Sequence, residues 1–153
     1  IKFYINHSKD IFCIDLSKNA IEKIKSNYQN YINEEIIKLA CEDFNKSEFK
    51  FIDSINSNKS RIYIDCTCLQ HINDDARLKL LKKISRQKKD FQNFLITKTL
   101  FFESNESGMY TNFLDKNQIR NLYSKFGEII RETTLKIEEN DLIQEYLILS
   151  VRL

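Results

Sequence analysis

Short apolar runs alternate along this chain with segments whose apolar residues recur every three or four positions. Ile11, Phe12, Cys13 and Ile14 follow one another without a polar residue between them, the pattern of a strand covered on both faces. Ser17 then opens a stretch in which Ala20, Ile21, Ile24 and Tyr28 share one stripe, which predicts a helix capped by the serine hydroxyl. The runs at 36–44, 61–69 and 91–101 predict three further strands. Residues 45–60, where Asn, Ser and Lys recur, read as a surface connection. Leu78, Leu81 and Ile84 mark a helix after "QHINDD".

The second half ends differently. Residues 102–113 read as a loop, and "DKNQIRNLYSKFG" is the clearest helix: Asp115 and Gln118 form a capping box, Ile119, Leu122, Tyr123 and Phe126 share a face, and Gly127 stands as the stop. Strands at about 128–137 and 144–153 are joined by so few residues that they must pair antiparallel. Residues 1–8 read as the last turns of a helix. The order predicts a single α/β domain spanning 1–153: a Rossmann-like, doubly wound, mostly parallel sheet ending in an antiparallel hairpin and incomplete at its N-terminal side.

Composition narrows the partners. Lys and Arg number 24 against 22 Asp and Glu, a net charge of +2 spread along the chain, so no polybasic footprint for nucleic acid or a membrane surface is present. No apolar run approaches a membrane span and no leader pattern opens the chain, which fits a cytoplasmic protein. Cys13, Cys41, Cys66 and Cys68 sit in strand-like runs and read as buried thiols of a reducing compartment. Cys66, Cys68 and His71 lack the spacing of a zinc knuckle, and no metal is expected. Proline is absent and glycine occurs twice, so the usual turn signals are missing.

The informative acid is Asp15, at the end of the first apolar run. Open α/β sheets bind ligands outside the carboxyl ends of their strands, where a carboxylate can accept from the two hydroxyls of a ribose. In dinucleotide sites such an acid follows a glycine-rich loop by about 20 residues, which places that loop ahead of Ile1. Asp15 also suits a plainer role, capping the next helix together with Ser17.

Taken together, these segments resemble the class I S-adenosylmethionine-dependent methyltransferases. "IFCIDLSKNAIEKIKSNY" is similar to their second strand and helix, "IKLACEDFNK" to the third strand with its acid, and "RIYIDCTCLQHINDDARLKLLKKISR" to the fourth strand and helix. "NFLITKTLF" and "FLDKNQIRNLYSKFGEIIRET" resemble the fifth strand and late helix of small-molecule members, including tellurite-resistance-type and thiopurine-type enzymes. Arg61 stands where the family often has an acid.

The resemblance implies S-adenosylmethionine as cofactor, with Asp15 on the ribose, Glu42 and Asp43 near the adenine amino group, and Leu16 and Phe44 against the adenine faces. It sets Asp65 and Cys66 beside the methionine part. Gln70 and His71 would face a small-molecule acceptor, with Met109, Tyr110 and Phe113 forming a lid or pocket wall. Methyl transfer depends mainly on alignment, and His71 is the one candidate for a general base where the acceptor must lose a proton. The family's first strand and its glycine-rich loop have no counterpart here, so an upstream segment or a partner chain is expected to complete the sheet. A methyltransferase-like binding or assembly module without catalysis is the alternative, and a nicotinamide enzyme a more distant one.

Overall fold

A computed structural model describes residues 1–6, 10–54, 60–86, 92–101, 114–139 and 142–153. They divide into two compact units, Ile1–Glu48 and Phe49–Leu153.

The first unit contains α1 (Lys2–Ile5), β1 (Ile11–Asp15), α2 (Lys18–Asn33) and β2 (Ile37–Cys41). The strands pair in parallel, from Ile11 opposite Ile37 to Asp15 opposite Cys41, and α2 packs along both. Ser17 caps α2 as its position predicts, accepting the Ala20 N–H at 3.2 Å, a cap that contributes about 1 kcal/mol. At the other end of α2 the chain turns through Glu35 at φ 57°, a left-handed position that glycine usually fills. The burial of β1 is lower than its sequence suggests: residues 11–14 are half-buried. The thiols depart from expectation too, since Cys13 is half-buried and Cys41, Cys66 and Cys68 are exposed; the last two stand at and just beyond a strand end, where the chain leaves the packed layer.

The second unit contains α3 (Lys50–Ser54), β3 (Arg61–Cys66), a 3-10 turn at Leu69–His71, α4 (Asp74–Ser85), β4 (Asn93–Leu100), α5 (Lys116–Tyr123), β5 (Glu128–Glu139) and β6 (Leu142–Arg152). Helix α3 falls inside the stretch expected to be a surface connection, and it carries the buried Ile52 beside buried Phe49. The sheet runs β3-β4-β6-β5. Strands β3 and β4 are parallel, whereas β6 is antiparallel to both neighbours. The sheet is therefore mixed, and its terminal hairpin is the one the short connection demands.

Alternation sorts the faces of β4. Asn93, Leu95, Thr97 and Thr99 are buried, and the residues between them are half-buried. Leu81, Ile119, Tyr123, Leu147, Leu149 and Val151 supply much of the remaining core. Asp115 and Gln118 complete the expected capping box on α5. Gly127 has a different role from the one its position suggests. Helix α5 ends earlier, with Ser124 as its cap, and Gly127 does not adopt positive φ. A Cβ there would lie 2.2 Å from the Arg152 carbonyl oxygen and 2.9 Å from Val151 Cγ1, so this glycine lets the chain entering β5 press against β6.

Candidate functional site

In the first unit the parallel ladder carries three acids to neighbouring strand ends. Asp15 closes β1, and its carbonyl accepts the Glu42 N–H at 3.1 Å, directly after β2. Asp15 Oδ1 accepts the Ser17 N–H at 2.8 Å, so the plainer capping role is real. Oδ2 has no hydrogen bond among the described residues, and the side chain is exposed. Glu42 Oε2 accepts the Ser47 hydroxyl at 2.6 Å. Asp43 is engaged locally through the Asn45 N–H at 3.0 Å and Lys46 Nζ at 3.3 Å. Leu16 stands 67% exposed beside Asp15, an apolar surface next to a carboxylate, and Phe44 is half-buried.

In the second unit Asp65, at the end of β3, is nearly buried and fully employed. Oδ1 accepts the N–H groups of Cys68 and Leu69 at 2.9 and 3.0 Å, and Oδ2 accepts the Thr97 hydroxyl at 2.7 Å. With the Thr97 proton committed to the carboxylate, the Thr99 and Tyr123 hydroxyls, 3.1 and 3.2 Å away, are left to donate into Thr97 Oγ1. Burial raises the Asp65 carboxyl above its ordinary value, against the lowering effect of those hydrogen bonds. Burial, with the Asp65 charge second, pushes the Tyr123 phenol up to about 12. Thr67, at φ 64°, turns the chain from β3 into the 3-10 turn.

That turn carries Gln70 and His71. Gln70 is 5% exposed, its Oε1 accepting the Leu100 N–H at 2.7 Å and its Nε2 lying 3.1 Å from His71 Nε2. His71 is exposed. Gln70 thus stands behind His71, with both ends of its amide used inside the protein. Met109, Tyr110 and Phe113 lie outside the described residues. Among the described residues, no cluster of three or more metal-ligating side chains exists and no helix is long and apolar enough to cross a membrane.

Thr97 and Tyr123 were visible in the sequence only as a strand residue and part of a core stripe. The alternation of Thr97 and Thr99 in "LITKTL" was the available signal for a hydroxyl-lined face.

No family model matches the chain, and no curated protein does. Solved structures do. The N-methyltransferase NodS from Bradyrhizobium japonicum WM9, in complex with S-adenosyl-L-homocysteine, superposes with a TM-score of 0.65 at 10% identity over 94% of this chain and 66% of its own. The StiE O-MT segment, residues 961–1257, gives 0.62 at 12% identity over 94% of this chain and 58% of its own. The small RNA methyltransferase HEN1 gives 0.55 at 13% identity over 92% of this chain and 20% of its own. The architecture is the α/β, Rossmann-like fold of class I methyltransferases. This chain spans about two thirds or less of each of these three proteins.

Proposed function

We propose that the chain belongs to an S-adenosylmethionine-dependent methyltransferase that transfers its methyl group to O, N or S of a small molecule. The observation that carries this reading is Asp15 and Glu42 at adjoining strand ends, with Asp15 Oδ2 unused among the described residues and exposed Leu16 alongside. A carboxylate with a spare oxygen next to an apolar surface fits a ribose and its base. When bound, the cofactor would supply a sulfonium methyl group.

The chain's own residues would divide the work. Asp15 accepts from the ribose hydroxyls, Glu42 and Asp43 accept from the adenine amino group, and Leu16 and Phe44 cover the ring faces. Asp65 and Cys66 border the methionine part, with Asp65 fixing the turn that follows β3. His71 makes the polar contact to the acceptor. The near balance of charge, +2 overall, favours a small acceptor over a polyanion.

The same reading calls for a further strand and covering segment beside β3. Among the described residues β3 has one strand neighbour, and Ile62 and Ile64 on one of its faces are 63% and 46% exposed. Such a face is normally covered. A segment upstream in the polypeptide, or a partner chain, would supply the cover.

The test is calorimetric titration of the full polypeptide with S-adenosylhomocysteine. Micromolar binding is expected, with Asp15→Asn weakening it by about 10-fold to 100-fold, the worth of a hydrogen bond to a charged group. Asparagine keeps an acceptor for the Ser17 N–H, so the loss reports the ligand and not the helix cap. Unchanged affinity in that variant would overturn the ribose assignment. No binding by the unaltered protein would leave the non-catalytic module as the reading.

A further inference from the structure

Four atoms in the second unit fix a proton on a fifth. The Leu100 N–H can only donate, so the Gln70 atom facing it at 2.7 Å is the amide oxygen. The other end of the same planar amide is then NH2, and it faces His71 Nε2 at 3.1 Å. An NH2 group can only donate. His71 Nε2 must therefore offer its lone pair, and in the neutral ring the proton resides on Nδ1. The amide has little freedom to turn over: Gln70 is 5% exposed, and a flip would set NH2 against the Leu100 N–H. The turn itself is held from behind, because Asp65 Oδ1 takes the N–H groups of Cys68 and Leu69.

We propose that Gln70 is a positioning residue that holds neutral His71 in its Nδ1–H tautomer, so that His71 meets the methyl acceptor as a hydrogen-bond donor and not as a base. This replaces the general-base role expected for His71 from the sequence. The consequence concerns substrate class. An acceptor that arrives already anionic at oxygen or sulfur, such as a carboxylate or a thiolate, has no proton for a base to remove and is oriented by a donor. A neutral alcohol, which must lose its proton, finds no free base in such a ring. The statement about acceptors rests on the methyltransferase reading; the tautomer does not.

Long-range proton–nitrogen correlation spectra of the nitrogen-15-labelled full chain, recorded where imidazole is neutral, read the tautomer directly. The sequence has two histidines, and the ring signals missing from a His71→Asn variant assign His71. The expected spectrum has Nδ1 in the pyrrole-like range and Nε2 in the pyridine-like range. In Gln70→Glu, whose carboxylate accepts from both the Leu100 N–H and the ring, the two nitrogens should exchange ranges. A wild-type ring protonated at Nε2, or averaged between nitrogens, would overturn the proposal, and this holds even where the Gln70 variant does not fold. The titration with S-adenosylhomocysteine separates the two readings. Binding together with an Nε2–H ring removes this inference alone, whereas absent binding with an Nδ1–H ring removes the statement about acceptors and leaves the tautomer standing.

Discussion

Asp65 and Thr97 are register partners across the parallel β3/β4 pair, and the threonine hydroxyl donates to the aspartate at 2.7 Å. The other oxygen of the same carboxylate starts the turn that bears Gln70 and His71. One side chain therefore joins the sheet to the loop beyond its carboxyl edge.

Replacing Asp65 separates its charge from its hydrogen bonds. Burial raises its pKa, so the folded state holds this proton at a pH where the unfolded chain has released it. The contribution to stability falls as pH rises from the unfolded value to the raised folded value. Asp65→Asn should abolish that part of the acid-range slope in urea unfolding while keeping an acceptor for the Cys68 and Leu69 N–H groups. Asp65→Ala, which leaves the Cys68 and Leu69 N–H groups without an acceptor, should cost about 3 kcal/mol. Parallel pH profiles for wild type and Asp65→Asn would contradict the assignment.

Tyr123 acts at the alkaline end. Its phenol is raised to about 12 in the fold against about 10 in an unfolded chain, so the unfolded state ionises first. Stability should fall between those two values by about 2 to 3 kcal/mol. Tyr123→Phe should lack that loss, and should cost about 1 kcal/mol at neutral pH for the hydrogen bond to Thr97. Unfolding curves collected across the alkaline range decide this.

Gly127→Ala should destabilise the second unit by about 2 to 4 kcal/mol, because the new methyl group meets the Arg152 carbonyl and not a movable side-chain tip. Thermal and urea unfolding measure it. A change under about 0.5 kcal/mol would mean that the β5/β6 entry readjusts freely.

Glu35 offers the opposite sign. It holds φ 57°, which costs an L-residue about 1 to 2 kcal/mol, partly offset by the larger unfolded-state entropy of glycine. Glu35→Gly should raise stability by about 0.5 to 1 kcal/mol, and Glu35→Val should lower it. The midpoints of urea unfolding for the two variants should move in opposite directions.

The parts legible in the sequence were those with local causes. The Ser17 cap, the Asp115–Gln118 box and the antiparallel hairpin follow from short-range chemistry, and all three are present. The acids at 15, 42, 43 and 65 were legible as strand-end residues for the same reason. What stayed hidden depends on partners far apart in sequence. Gly127 looks like a helix stop until Arg152 is seen across from it. Asp65 reads as an open strand-end acid until the Thr97 hydroxyl and the Cys68 and Leu69 N–H groups are seen to occupy its oxygens. Gln70 looks like a substrate contact until the Leu100 N–H fixes its amide. Helix α3 was missed because no proline or glycine marks its bounds and its polar neighbours mask a single buried isoleucine.

The slender core of the first unit has a consequence for the lifetime of the protein. Ile21 and Ile37 are its buried apolar side chains among the described residues, worth about 1.5 to 3 kcal/mol each by removal from water. A ligand held there at a hundredfold excess over its Kd adds about 2.7 kcal/mol, as much as one of those isoleucines. The segment bearing Asp15 and Glu42 would then be the first to open and the one most protected by what it binds. Proteolytic half-life would rise and fall with the supply of that ligand, making cellular abundance itself a readout of occupancy.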